Sequence, residues 1–212
     1  MQQAAAKPVE VASLTWRERV ATELAANKPG PAVILDRLAK KSDPEDVRVQ
    51  LAEALPRNGG QYADALADLF VEEGSAKVRA AFVSVTPNEE ILPILRRAFA
   101  DPETEVRIAA VRRSASHTVC ERLAAELRNA LADRDAGLRA EAAKTIGVLK
   151  IEAAQGELVT ALGDGSPEVR LEAMRALDSI SPGSLAGTAA VVALRSDPDV
   201  RVAELAQKLA TR

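Results

Sequence analysis

The chain has 212 residues, 47% hydrophobic and 28% charged, with a formal net charge of −3; it can build an apolar core and carries no global positive field for nucleic acid or anionic lipid. One Cys and one His leave little material for a structural disulfide, a Cys/His zinc site or a Cys–His or Ser–His catalytic cluster. Five aromatic residues stand against 42 alanines, so the core is expected to consist of small aliphatic side chains on closely packed helices.

The longest apolar stretch, around Ala189 to Leu194, falls far short of the roughly 20 residues that span a bilayer. The opening Met1 to Pro8 lacks the basic start and apolar run of a secretory signal. A cytoplasmic location is therefore expected, with 1–13 as a leader or linker and 14–212 as one domain.

Self-similarity organises the rest. An apolar residue precedes arginine at Trp16-Arg17, Val47-Arg48, Val78-Arg79, Val106-Arg107, Leu138-Arg139, Val169-Arg170 and Val200-Arg201, with steps between arginines of 31, 31, 28, 32, 31 and 31 residues. The first helix opens at Trp16-Arg17 behind a capping box of Thr15 and Glu18, and a second is expected over 31–41 after Lys28-Pro29-Gly30. The same pair of helices then recurs. A helix at Val47-Arg48 leads through Asn58-Gly59-Gly60 to one over 61–73, and a helix at Val78-Arg79 leads through Thr86-Pro87-Asn88 to one over 88–100. Helices at Val106-Arg107 and over 118–132 follow, the latter with a second capping box of Thr118 and Glu121. The two most regular first helices carry apolar residues at helical spacing, Leu138, Ala142, Ala143, Ile146 and Leu149 in one and Val169, Ala173, Met174, Leu177 and Ile180 in the other. Their partners are expected over 152–162 and 185–195, the second after Ser181-Pro182-Gly183, and Val200-Arg201 opens a final single helix.

Asp43-Pro44, Asp101-Pro102, Ser166-Pro167 and Asp197-Pro198 lie just upstream of arginines and read as helix starts, the acid or hydroxyl capping and the proline filling a place that needs no donor. No stretch shows a sustained period of two. Helices this short bury an apolar face only by stacking, so the expected fold is all-α: a right-handed α-solenoid of about seven units, the last a single helix. The 28-residue step predicts a local change of superhelical geometry near Val83 to Pro87. Glu204, three places after Arg201 where earlier units carry residues such as Ala142 and Ala173, predicts a polar C-terminal cap at which the solenoid ends.

The units from Asp133 to Leu149 and Asp164 to Ile180, with Leu138-Arg139-Ala140-Glu141-Ala142-Ala143 and Val169-Arg170-Leu171-Glu172-Ala173-Met174, resemble HEAT-like repeats of the phycobilisome-lyase type. The resemblance covers essentially Leu14 to Ala210. It implies the fold, and it implies that the helix opened by the apolar–Arg pair lines a concave face. Places one, two and five after each arginine would then face a groove: an apolar row including Ile108 and Leu171, the carboxylates Glu141 and Glu172, and a central basic row of Arg112, Lys144 and Arg175. The place five after reads Thr22, Glu53, Ser84, Arg112, Lys144, Arg175 and Ala206 along the chain.

Such a surface suits an acidic or amphipathic segment of another protein, so a noncatalytic interaction scaffold is the first expectation, with no cofactor, no metal, no membrane and no nucleic acid. The family's name-giving members imply an alternative, a bilin or tetrapyrrole lyase subunit or chaperone; a HEAT domain appended to a larger enzyme is a third reading. HEAT-like glycosylases place basic and aromatic residues in the groove, whereas here the only Trp is at one end.

Each of these features also has a plain structural reading. Glu141 with Lys144 and Glu172 with Arg175 are three apart and can simply pair. The repeated arginines are expected to bond acids or helix-end carbonyls of neighbouring repeats, and Trp16 to cover the first repeat. Cys120 reads as a small apolar residue and His117 as a turn residue, without the third group that catalysis needs.

Overall fold

A computed structural model of the chain describes residues 15–25, 30–55, 62–85, 91–115 and 120–211. The fold is all-α among these residues, and the chain divides into two compact units, Met1–Glu90 and Ile91–Arg212. The division falls beside the 28-residue step. No helix among the described residues is long and apolar enough to cross a membrane.

The first unit contains α1 (Trp16–Ala25), α2 (Pro31–Lys40), α3 (Glu45–Glu53), α4 (Ala63–Glu72) and α5 (Ala76–Val85). Its core is Leu35, Leu38, Ala52, Ala65, Leu69, Val78, Phe82 and Val83. The first capping box is present: the Thr15 amide donates to Glu18 Oε2 at 2.8 Å and the Glu18 amide to Thr15 Oγ1 at 3.3 Å. Thr118, of the second box, lies outside the described residues. Trp16 is buried, donates from Nε1 to Asp68 Oδ2 at 2.9 Å, and carries the Arg17 guanidinium 4.5 Å from its ring centroid.

The second unit contains α6 (Leu92–Phe99), α7 (Thr104–Arg113), α8 (Ala124–Ala130), α9 (Ala136–Leu149), α10 (Gln155–Ala161), α11 (Pro167–Ile180), α12 (Ala189–Leu194) and α13 (Val200–Ala210). α7, α9, α11 and α13 pack side by side as one layer, and α6, α8, α10 and α12 each back onto one of them. Leu95, Val106, Leu127, Leu138, Ile146, Leu158, Val169, Met174, Val202 and Ala206 are buried between the layers. Short turns of 3-10 helix, Cys120–Leu123 and Glu152–Ala154, begin the stretches read from sequence as 118–132 and 152–162. The helix expected over 185–195 is only Ala189–Leu194, because Gly183 (φ 78°) and Gly187 (φ 70°) adopt left-handed backbone in the turns before it.

α9 and α11 approach each other closely at Gly147. A Cβ there would stand 2.7 Å from the Ala176 Cα and 2.9 Å from its Cβ, and the Gly147 carbonyl accepts from Ser179 Oγ at 3.0 Å. Glycine in mid-helix otherwise costs about 1 kcal/mol against alanine. Here the close backbone approach reverses that sign.

The repeated arginines connect one helix pair to the next. Arg107 donates from Nη1 to the Asp101 and Pro102 carbonyls, six and five residues before it, and from Nε and Nη2 to both oxygens of Asp133 at 2.9 and 3.0 Å. Arg139 repeats this with the Asp133 and Arg134 carbonyls and the Asp164 carboxylate, at 2.7 and 2.8 Å. Arg170 does so with the Asp164 and Gly165 carbonyls and the Asp197 carboxylate, at 2.8 and 2.7 Å. Each aspartate also accepts the amide two residues on: Asp133 from Asp135, Asp164 from Ser166 and Asp197 from Asp199. The first unit holds one rung of the same kind, with Glu73 in the aspartate's place between Arg48 and Arg79. The expectation that the arginines bond neighbouring acids and carbonyls thus describes what they do.

The same geometry corrects two readings of the helix starts. The aspartate before proline is not the cap. Asp43 grips Arg37 through both oxygens, Asp197 receives Arg170, and α13 is capped instead by Asp199, which accepts from the Arg201 and Val202 amides. Only at Ser166-Pro167 does the pair straddle a helix start as expected, with Pro167 in the first turn, although the Ser166 side chain bonds Glu168 rather than the helix amides.

The second correction concerns α13. In α7, α9 and α11 the arginine amide closes the first helical turn onto the cap residue four before it: Arg107 onto Glu103, Arg139 onto Asp135 and Arg170 onto Ser166. In α13 that bond is made by Ala203, onto Asp199. Val200-Arg201 therefore lies two places out of register with the other pairs. Val202 is buried where Val169 is, and Ala206 where Ala173 is, so Glu204 does not stand in a core alanine's place and does not mark a cap. Arg201 is exposed and bonded to Glu168 and Asp199 at 2.8 Å each, and its hydrogen bonds hold the Asp199 pKa down to about 2.

Two outcomes are expected. Gly147→Ala should lower the free energy of unfolding by about 1–3 kcal/mol, the cost of overpacking against backbone, measured by urea denaturation. Hydrogen bonds from Arg139 and Arg170 hold the Asp164 and Asp197 carboxyls below the usual carboxylate range. A depressed carboxyl contributes stability above its unfolded value and loses it as pH falls through the folded one, so stability should fall below about pH 4. The fall should be shallower in Asp164→Asn and Asp197→Asn, read by the same denaturation between neutral pH and pH of about 3.

Candidate functional site

The seven residues expected on the groove all belong to the second unit, on α7, α9 and α11. Because those helices are locked in register by the arginine rungs, places five after the arginines fall on neighbouring helices at the same height. Arg112, Lys144 and Arg175 project to solvent with side-chain exposures of 66%, 60% and 56%. Glu141 and Glu172 sit lower, at 20% and 21%.

The carboxylates are shared among the cations. Arg112 Nε lies 3.3 Å from Glu141 Oε1 across the α7–α9 boundary, Lys144 Nζ lies 4.0 Å from the same oxygen, and Arg175 Nη1 donates to Glu172 Oε1 at 2.6 Å. Mutual pairing is therefore real, yet three cations share two acids. In such open surroundings each pair contributes about 0–1 kcal/mol, and an incoming carboxylate can compete for them.

The apolar row is less open than expected. Leu171 is buried at 7% and joins the core, and Ile108 is half-buried against it. The α helix turns these side chains toward the neighbouring helix rather than outward, so the surface is polar with an apolar floor. Ala206, expected at the end of the row five places after the arginines, is fully buried because of the shift in α13. In the first unit the corresponding places, Thr22, Glu53 and Ser84, are exposed and carry no cation.

Other expected candidates bring no chemistry. Trp16 is buried under Arg17 and offers no platform. His117 and the Cys120 side chain lie outside the described residues. No group of three or more His, Cys, Asp or Glu is placed to hold a metal ion among the described residues.

Sequence reasoning missed a cleft of about 680 Å³ at the edge between the α6–α7 and α8–α9 pairs, lined by Arg96, Phe99, Arg107, Glu126, Asn129 and Arg134. Its arginines are engaged: Arg96 with Glu126 at 3.2 Å, Arg107 with Asp133, and Arg134 with the Pro102 carbonyl at 3.0 Å. It is the open edge of a rung. The signal for it was the acid six residues before Arg79, Arg107, Arg139 and Arg170, as in Asp101 and Arg107.

Residues 124–210 match the family model of HEAT repeats. Among solved structures the chain is similar to a designed armadillo repeat protein in complex with the peptide (KR)4, at 20% identity over 85% of this chain and 98% of that one, with a TM-score of 0.52. It is also similar to a second designed armadillo repeat protein, at 18% identity over 86% of this chain and 99% of that one, with a TM-score of 0.50. A search of curated proteins gives no match. At these identities the structural likeness shows the fold, that of an α-helical repeat solenoid.

Proposed function

We propose that this chain, whose residues 124–210 match HEAT repeats, is a noncatalytic scaffold that binds a peptide or helix of a partner protein on the exposed face of α7, α9 and α11. The observation that carries the reading is the exposure of Arg112, Lys144 and Arg175, one cation per repeat at the same place after the rung arginine, paired with two acids. Repeat solenoids place such surfaces side by side over several units, which suits an elongated ligand better than a small one. A designed neighbour of the same fold carries the peptide (KR)4. Here the projecting charge is positive, so the complementary segment is acidic.

Because each exposed contact is weak, affinity comes from several acting together and falls with salt. Reversing all three charges, Arg112→Glu, Lys144→Glu and Arg175→Glu, should weaken binding of a fluorescent acidic peptide at least tenfold by anisotropy, with an unchanged circular-dichroism spectrum. Unchanged affinity in the folded triple variant would remove this face from the account.

A further inference from the structure

We infer that the basic row has a fourth rung, Lys208, and that the four cations together take an extended acidic segment whose carboxylates recur at about every third residue. This rests on the interaction surface proposed above and adds its length and the spacing of its ligand.

The fourth rung follows from the backbone register of α13. Ala203, which makes the bond to the cap residue that Arg107, Arg139 and Arg170 make in their helices, marks the equivalent place. Five places beyond it stands Lys208, as Arg112, Lys144 and Arg175 stand five beyond theirs. Two further contacts agree with this alignment. Arg201 of α13 bonds Glu168 of α11, and both then lie two places before the marker in their own helices. Val202 is buried in the same place as Val106, Leu138 and Val169.

Lys208 is exposed, and among the described residues it has no carboxylate within ion-pair range. Where α9 and α11 hold Glu141 and Glu172 beneath the row, two places after the marker, α13 has the half-buried Leu205. The fourth cation therefore has no acid at that place; the nearest on its own helix is the exposed Glu204, four residues before it, with which it forms no ion pair among the described residues. With Glu204, exposed one place after the marker, four cations stand over three carboxylates and leave a small excess of positive charge along the line, although the chain as a whole is −3. That combination favours a segment whose negative charges are separated and matched to the rungs over a uniformly charged polyanion, which the acids beneath would repel.

The spacing follows from dimensions. Packed helices lie about 8–10 Å apart, and an extended chain advances about 3.3 Å per residue. One rung therefore corresponds to about three residues of an extended peptide running along the stack. A contiguous acidic cluster reaches fewer rungs and leaves the others unmatched.

The probes are fluorescein-labelled peptides of identical composition, one with four glutamates at every third place and one with the four contiguous, together with a spaced peptide of three glutamates and a single-stranded oligothymidylate. At low salt the spaced four-glutamate peptide should bind about fivefold tighter than its clustered isomer, each exposed rung being good for up to about a fivefold gain. Lys208→Gln should reduce its affinity about threefold, toward that of the three-glutamate peptide, while leaving the melting temperature unchanged. Equal affinity for the two isomers, or no effect of Lys208→Gln while reversal of the other three charges still abolishes binding, would overturn the fourth rung and the spacing alone. Failure of the unaltered protein to bind any acidic peptide would overturn the acidic-partner reading as well. Oligothymidylate binding as tight as that of the spaced peptide would replace the peptide ligand with a polyanion.

Discussion

The second unit depends on the fork of an arginine closed over an aspartate of the next repeat. Guanidinium geometry permits two parallel bonds to one carboxylate and leaves Nη1 to hold two carbonyls of the arginine's own turn. Each aspartate between rungs is used three ways: its side chain takes the previous arginine and the amide two residues on, and its carbonyl takes the next arginine. An alanine-rich core gives helices little shape by which to choose one register over another, since small side chains interlock weakly. The rungs supply the missing specification. Their side chains are mostly covered, with Arg107 at 7% exposure and Asp197 at 4%, so either partner left alone would be a charge with poor access to water.

Surface chemistry follows from that register. Once α7, α9 and α11 are fixed at equal heights, any place counted from the arginine becomes a straight line across the repeats, and a cation repeated at one place becomes a row. The close contact of Gly147 with Ala176 belongs to the same constraint, because two helices held in register come near enough that one position must lack a side chain. Function, on this view, is written in the places that neither the core nor the rungs use.

Much of this could be read from the sequence. The spacing of the arginines revealed the repeat, and the apolar periodicity of 138–149 and 169–180 located the two longest helices among the described residues. The resemblance to HEAT-like repeats, together with counting from the arginines, led to the expectation that Arg112, Lys144 and Arg175 are exposed, as they are. Counting failed where the motif and the backbone parted: Val200-Arg201 imitates the repeat but lies two residues early, because only four residues separate Asp197 from Arg201 where six separate Asp164 from Arg170. Asp197 was read as a cap and Asp133 and Asp164 were given no role, since the partner of each lies 25 to 27 residues away in sequence and no local pattern shows it. The brevity of α12 was hidden as well, because glycine permits a left-handed turn without requiring one.

The most direct measurement is a double-mutant cycle on one rung, comparing urea denaturation of the unaltered chain with Arg139→Ala, Asp164→Ala and the double variant. If the fork sets the register, the two residues should show a coupling energy of about 1–3 kcal/mol, the double variant being little worse than either single one. Additive losses with coupling near zero would mean that packing alone aligns the repeats and that the arginine fork merely decorates an arrangement it does not determine.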